Sequence, residues 1–277
     1  MNFNEELQIE KAREYKIVKD NKLIQNVTRR KYELSVMEQK VLGFILSLIK
    51  PPEVLQIEPL HKYDFDIRTF CKVCGIDCDS GTNYANVRNA LKKLADNSFW
   101  IEEGDDELLF QWITTPRIKK KSGKVTIKIS DDVMPYLYDL QEKFTSYELY
   151  QILALKGSHS IALYELFKSY AFRKKLIISI EDLKKYLSIE DKYKEYKALR
   201  RKVIETAINE INEFTDLDIS WQPIKQGRYY YAIEFTIGTK KKWEGYEAYR
   251  RTMAELHGTP YIKGQISLFD YEEMNEV

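Results

Sequence analysis

The chain has little of what most enzymes use for catalysis. Its 277 residues include 3 histidines, His61, His159 and His257, and each is about a hundred positions from the next, so none forms the closely spaced pair that metal sites favour. No glycine-rich loop of the kind that cradles phosphates is present, which argues against ATP hydrolysis. We therefore predict a protein without catalytic residues and without a cofactor.

Long apolar segments are also missing. The longest apolar stretch, Val41 to Ile49, has nine residues, whereas a helix needs about 20 to cross a bilayer. The polar, acidic start from Met1 to Glu10 lacks the apolar run of a secretory peptide. These absences predict a cytoplasmic protein with no membrane partner.

The 3 cysteines form one cluster, Cys71, Cys74 and Cys78, with the spacing C-x2-C-x3-C. An odd number in one cluster does not resemble a secreted disulfide framework. Zinc prefers four ligands, and the sequence offers no convincing fourth, since His61 lies ten residues upstream. We predict packed thiols and no metal, with a metal site as the open alternative.

Charge is balanced in total but segregated along the chain. The net charge of +1 comes from 44 basic and 43 acidic residues. From Arg117 to Ser130 there are six basic residues and no acidic one, and from Phe172 to Lys202 there are eleven basic and five acidic residues. After Lys263 the balance becomes acidic. Two basic segments inside a neutral chain indicate local contacts with a polyanion.

One pattern occurs twice, 113 positions apart. The first copy has apolar residues at positions 67, 70, 73, 74 and 76, and the second copy at positions 180, 183, 186, 187 and 189. In each copy a short polar turn leads to a longer amphipathic helix, Asn83 to Asn97 or Glu195 to Asn212, and then to a strand hairpin. The order helix, turn, helix and β-wing predicts an α+β chain of two tandem winged-helix domains.

The remaining segments complete this division. Helices are expected before Pro51 and over Ile161 to Arg173, and a short strand at Tyr63 to Ile67. The expected wing strands are Leu108 to Ile118, Lys124 to Ile129, Ile219 to Ile224 and Tyr229 to Ile237, and the expected linking helices are Leu137 to Phe144 and Tyr147 to Leu155. The predicted units are an N-terminal segment 1–20, a first domain 21–135, a second domain 136–240 and a tail 241–277.

The long helix of the second copy carries a basic face. Its apolar positions, from Leu199 to Ile211, fall on one side and should be buried, which leaves the basic side chains on another side. Arginine can fork onto guanine O6 and N7 in the major groove, and lysine mostly neutralises phosphates. An ordinary solvated face is the competing interpretation. The DNA-binding candidates are Lys194, Lys197, Arg200 and Arg201 on the helix and Lys225 and Arg228 at the wing tip.

In the first copy the wing is a stronger indication of DNA binding than the helix. Asparagines on the helix could pair with adenine, although a polar surface is the simpler account. The candidates are Asn83, Asn86 and Arg88 on the helix and Arg117, Lys119, Lys120, Lys121 and Lys124 in the wing.

Several motifs, in this order, resemble the plasmid replication initiator family of the tandem winged-helix type. They are residues 34–40 (LSVMEQK), 144–147 (FTSY), 155–166 (LKGSHSIALYEL), 196–204 (YKALRRKVI), 208–212 (INEIN) and 215–219 (TDLDI). The resemblance covers about residues 20 to 240, and one departure is Ala162, where the family often has arginine.

The resemblance implies a non-enzymatic initiator that binds direct repeats, called iterons, at a plasmid origin. It also implies that the protein helps to open the duplex and recruits the host replicative helicase and initiator ATPase. Family members dimerise through the first domain and repress their own promoter in that state, in equilibrium with the monomer. The main alternative is a winged-helix transcriptional regulator.

The tail holds a separate short motif, Gln265 to Asp270 (QISLFD). It resembles the peptide by which bacterial replication proteins dock on the sliding clamp. Leu268 and Phe269 would enter an apolar pocket, and Gln265 would form a hydrogen bond at the edge of that pocket. A chance sequence, or a strand that folds back on the core, would explain the same residues.

Tyrosine is abundant, and this keeps a third possibility open. A rolling-circle nickase would use a tyrosine nucleophile, for which Tyr229, Tyr230 and Tyr231 are candidates. Such an enzyme usually holds its metal with closely spaced histidines, which this chain lacks. Packing within the wing is therefore the preferred role for these tyrosines.

Overall fold

Two winged-helix units follow one another along the chain. The computed structural model describes residues 3–25, 34–49, 61–77, 81–138, 140 and 143–262. The first part contains α1 (Phe3–Arg13), β1 (Lys16–Asp20), α2 (Asn21–Gln25), α3 (Val36–Ser47), β2 (Lys62–Asp66), α4 (Ile67–Val73), α5 (Gly81–Asp96), β3 (Ser98–Glu103), β4 (Asp106–Gln111), β5 (Ile113–Lys119), β6 (Lys124–Ile129) and α6 (Pro135–Tyr138).

The second part repeats this order in a shorter form. It contains β7 (Phe144–Glu148), α7 (Tyr150–Leu153), α8 (Ser158–Tyr170), a 3-10 turn (Ala171–Arg173), β8 (Lys175–Ser179), α9 (Ile180–Tyr186), α10 (Tyr196–Leu199), a π-helical segment (Arg200–Glu205), α11 (Thr206–Phe214), β9 (Leu217–Gln226), β10 (Tyr229–Thr239) and α12 (Lys242–His257). The antiparallel sheets β2-β6-β5 and β8-β10-β9 each accompany a helix-turn-helix. The predicted α+β class and the tandem winged helices are confirmed.

The repeat is reproduced down to the turn that ends each short helix. In α4 the Ile76 amide donates to the Cys71 carbonyl at 2.8 Å, and in α9 the Ile189 amide donates to the Lys184 carbonyl at 2.9 Å. The residue between helix and turn has a positive φ in both copies, 64° at Gly75 and 57° at Ser188. These are the C-terminal capping bonds that a left-handed residue permits.

Both long helices bury the predicted apolar face. In α5 the buried residues are Val87, Ala90, Leu91 and Leu94. In the second domain Leu199, Val203, Ile204, Ala207, Ile208 and Ile211 are each at most 5% exposed. We call the continuous run of α10, the π-helical segment and α11 the composite helix. The sequence did not predict its π-helical segment.

Other expectations were wrong in detail. The expected strand Leu108 to Ile118 is divided at buried Trp112 between β4 and β5, and β3 with β4 forms an additional hairpin. The ring of buried Trp112 packs 4.8 Å from that of Phe99, between the two strands.

The two expected linking helices are mostly absent from the described residues. Residues 144–148 form strand β7, because this segment pairs antiparallel with β1 and alternates buried Thr145 and Tyr147 with less buried neighbours. Of the residues expected to be helical around it, α6 reaches Tyr138 and α7 spans only Tyr150–Leu153.

Motifs that carried the family resemblance contact one another, once between the two domains and once within the second domain. The Gln39 side chain donates to the Ser158 carbonyl at 3.0 Å, and the Glu210 carboxylate accepts the Gly157 amide at 3.0 Å. These bonds fix α3 and α11 on either side of the start of α8. The motifs are therefore structural, since they hold the domains together.

A buried ion pair lies in the same interface. The Lys19 ammonium in β1 lies 2.5 Å from the Glu165 carboxylate in α8, and the Tyr147 hydroxyl donates to the same oxygen. Lys19 is 5% exposed and Glu165 is 9% exposed. A buried charge pair with a second hydrogen bond to its carboxylate requires close complementarity between the two elements.

Helices α1 and α12 were not predicted, and they meet each other. Arg13 of α1 donates to the Val73 carbonyl at 2.9 Å, and its Nη1 lies 2.6 Å from His257 Nε2 at the end of α12. Next to this contact, the backbone of Leu256 packs closely on Gly75. Through Thr252, α12 is also bonded to the second domain. We call this arrangement the α1/α12 clasp, because α12 touches both domains.

None of the helices in the described part of the chain is both long and apolar enough to span a bilayer.

Candidate nucleic-acid interface

The basic candidates of the second domain are exposed and lie on elements that contact one another. These candidates sit on the composite helix, on the residues just before it, and on the β9/β10 hairpin that forms the wing. The hairpin turns at Gly227, whose φ is 61°. The exposed cations are Lys194, Lys197, Arg200, Arg201, Lys225 and Arg228. We call this set the helix–wing surface.

Aromatic residues join the wing to the helix. The rings of Tyr196 and Tyr230 are stacked, with centroids 4.0 Å apart and planes at 21°. Lys225 Nζ lies 5.0 Å from the Tyr230 ring. The wing and the helix therefore form one connected surface. Packing was predicted for all three wing tyrosines. Tyr230 packs in this way, but Tyr229 and Tyr231 are exposed, so the prediction was wrong for those two.

Within the composite helix, Arg200 has two contacts. Its Nε lies 2.7 Å from Glu205 Oε1, and its Cζ lies 5.7 Å from the centre of the Trp221 ring on β9. The hydrogen bond to Glu205 raises the pKa of the Arg200 guanidinium above its ordinary value. Neither Glu205 nor Trp221 was predicted as a site residue, because only the fold brings them to Arg200.

The first domain presents a less uniform surface. Asn83 donates to the Asp77 carbonyl and accepts from Asn86 at 3.5 Å, so part of its hydrogen-bonding capacity is used within the protein. Arg88 is exposed on the helix. In the wing Lys124 forms an ion pair with Asp64 at 3.0 Å. Four wing cations are exposed, namely Arg117, Lys119, Lys120 and Lys121.

A groove separates α5 from wing strand β5. It has a volume of about 600 Å³, an apolar floor that includes Leu91 and Ile118, and Arg88 and Lys120 at its edge. The cations of the helix and the wing in this domain therefore flank a common depression.

The two described cysteines differ, since Cys74 is a packed thiol as predicted and Cys71 is not a free thiol. Cys74 is 3% exposed at the end of α4, and burial raises the pKa of its thiol to about 12. Cys71 takes part in a disulfide bond, which the odd count did not suggest. Within the described ranges no group of His, Cys, Asp and Glu has the geometry of a metal site. Cys78 and the clamp-like residues Gln265, Leu268 and Phe269 lie outside the described residues.

Sequence comparison assigns both halves of the chain to one family. Residues 16–168 match the family described as Initiator Replication protein, WH1, and residues 179–237 match Initiator Rep protein, WH2. The chain belongs to the plasmid replication initiator family. The WH1 match of this initiator extends through β7 to most of α8, so it includes the elements that join the domains.

Individual relatives agree with this assignment. A replication initiation protein of Escherichia coli is 23% identical over 198 residues, which cover 68% of this initiator and 60% of the relative. The PI protein of Escherichia coli is 28% identical over 53% of this chain and 54% of its own length. The initiator therefore spans less than two thirds of the length of these curated relatives.

A solved structure shares the fold. The Pi initiator protein in complex with iteron DNA superposes with a TM-score of 0.67 at 21% sequence identity. The match covers 83% of this chain and 99% of the solved chain.

Proposed function

We propose that this initiator binds duplex DNA containing direct repeats at a plasmid origin, with the second domain as the main reader. The observation that carries the proposal is the helix–wing surface, on which six exposed cations lie on two elements joined by the Tyr196–Tyr230 stack. Family membership supports it, and so does the iteron DNA bound by the solved Pi initiator.

In this proposal the composite helix enters the major groove and the wing follows the phosphate backbone. Arg200 and Arg201 are the residues we assign to guanine, and Lys194, Lys197, Lys225 and Arg228 to phosphates. In the first domain, Asn83, Asn86, Arg88 and the wing cations contact a neighbouring stretch. Two reading helices one turn apart would cover a repeat of roughly 20 bp.

Removing an arginine that reads guanine should weaken binding to the repeat. We expect Arg200→Ala and Arg201→Ala each to cost about 1–3 kcal/mol in binding free energy, with relaxed preference at one base pair. Lys11→Ala, an exposed cation on α1, is the control of equal charge change.

The measurement is selection of bound duplexes from a random library at two salt concentrations, followed by titration of the selected sequence. The two salt concentrations separate backbone attraction from base reading. Recovery of two half-sites about one turn apart is expected for reading by both domains. Binding that is salt-sensitive but has no motif, or unchanged affinity and specificity in both arginine variants, would contradict the assignment.

The wider roles follow from the family. We propose that the bound protein assists duplex opening, recruits the host replicative helicase and initiator ATPase, and represses its own promoter as a dimer in equilibrium with the monomer. No catalytic step is assigned to it. Incubation with single-stranded origin DNA and Mg²⁺ or Mn²⁺ tests this, because a nickase would cleave the strand.

The tail offers one further contact, with the sliding clamp. We expect the full chain to bind purified bacterial clamp through Gln265, Leu268 and Phe269, with affinity lost in the double variant Leu268→Ala/Phe269→Ala. Ser267→Ala, between the anchors, is the control and should bind normally. If the unmodified chain does not bind the clamp, the assignment of the motif is wrong.

A further inference from the structure

Arg200 already has two partners within the protein before any DNA is bound. Its Nε is bonded to Glu205 Oε1 at 2.7 Å, and its guanidinium lies over the Trp221 ring at 5.7 Å. The Arg200 side chain is 55% exposed, and that of Glu205 is 35% exposed. An exposed arginine normally samples many rotamers, and holding it in one geometry reduces the entropy that remains to be lost on binding.

The π-helical segment makes this pairing possible. In a regular α-helix, residues five apart point roughly 140° away from each other, so residues 200 and 205 would not face one another. The wider turn over Arg200–Glu205 brings them together. A second contact at the same spacing, from the Thr206 hydroxyl to the Arg201 carbonyl at 3.1 Å, lies in the same segment. Such π-bulges are frequent at functional sites.

The Arg200 nitrogen that Glu205 contacts also matters for base reading. Glu205 accepts a hydrogen bond from Nε of Arg200, and this leaves both Nη groups of the guanidinium to donate to another acceptor. Two parallel N–H donors are what guanine O6 and N7 accept. The Glu205 carboxylate is itself partly exposed beside Arg200, so it would repel a phosphate that approached Arg200.

We propose that Glu205 is a specificity-determining positioning residue, which presents Arg200 to a base in one geometry and disfavours its use as a general phosphate contact. Trp221 supports the same geometry from the wing. This inference rests on the proposed function, since it concerns how the helix–wing surface tells its repeat from other DNA.

The test compares the full chain with Glu205→Ala, Glu205→Gln and the control Glu213→Gln. Glu213 is an exposed carboxylate further along α11, so its replacement changes the charge equally without touching Arg200. Dissociation constants are measured for the selected duplex and for a scrambled duplex of the same length, at two salt concentrations. Thermal unfolding of each variant shows whether it is folded.

For Glu205→Ala we expect the scrambled duplex to bind several-fold more tightly and the ratio of specific to non-specific affinity to fall by roughly tenfold. Glu205→Gln keeps a polar partner without the charge and should lie between Glu205→Ala and the unmodified chain, and it serves as the test if Glu205→Ala does not fold. Glu213→Gln should leave the ratio unchanged.

Two failures have different meanings. A ratio that stays within about twofold in both Glu205 variants, while the unmodified chain prefers its selected repeat, would overturn this inference alone. An unmodified chain without any sequence preference would overturn the proposed function. A ratio that falls equally in Glu213→Gln would show a general charge effect and would also contradict positioning by Glu205.

Discussion

Replacing Gly75 with alanine is expected to lower the free energy of unfolding by about 3–5 kcal/mol, the largest effect we expect from adding one methyl group. Gly75 has a φ of 64°, at which an alanine costs about 1–2 kcal/mol. In addition, its Cβ would lie 2.4 Å from the Leu256 carbonyl oxygen and 2.9 Å from the Leu256 Cα. These are backbone atoms, so α12 would have to move and expose part of buried Leu256.

A matched control separates the two causes. Gly258 has a φ of 65°, and an added Cβ would meet no atom within 4 Å. Gly258→Ala should therefore show the conformational cost alone, about 1–2 kcal/mol. Ser188→Gly, at the repeat position of Gly75, should stabilise the protein by up to about 1 kcal/mol, since it relieves a positive φ in a residue with a side chain. Urea unfolding followed by circular dichroism measures all three, and equal losses at Gly75 and Gly258 would refute contact with α12.

Replacing Glu165 with alanine is expected to cost about 3–5 kcal/mol, because it leaves the buried Lys19 ammonium without its counter-ion. The Tyr147 hydroxyl would lose its acceptor in the same step. By comparison, Lys185→Ala removes an exposed pair with Glu181 and should leave the stability nearly unchanged.

The double variant Lys19→Met/Glu165→Leu tests the cause of the loss. With both charges replaced by apolar side chains, we expect much of the stability to return, since the penalty arises from a single unpaired charge. Chemical unfolding of Lys19→Met, of Glu165→Leu and of the double variant gives the coupling energy between the two side chains. If the double variant is as unstable as the sum of its parts, packing around this interface matters more than charge.

The repeated helix-turn-helix could be predicted because its apolar residues recur in the sequence at the same spacing. The apolar positions of α4 and α9 are the ones that the domain cores bury, and the turn that follows each helix needs a left-handed residue at Gly75 or Ser188. The exposed cations could be predicted for the same reason, as they lie opposite the buried face of a long helix.

The missed features depend on partners far away in the sequence. Strand β7 is five residues long, and short apolar segments are ambiguous until a neighbour is known, which here is β1 more than a hundred residues earlier. The apolar residues Leu199, Val203 and Ile204 have the spacing of an ordinary α-helix, although they flank or lie in a π-helical segment. The sequence therefore gives no indication of the Arg200–Glu205 pair. Helix α1 is mostly polar, and its role depends on Arg13 reaching α4 and α12.

The α1/α12 clasp has a geometric consequence for an origin. Together with the Lys19–Glu165 contact it links the two domains at separate points, which restricts how far α5 can move relative to the composite helix. We expect these contacts to hold the two helices at one spacing. DNA rotates by about 34–36° per base pair, so a single inserted base pair between half-sites would turn one of them away from its reader. The spacing of half-sites that the protein accepts would then depend on the contact between α1 and α12.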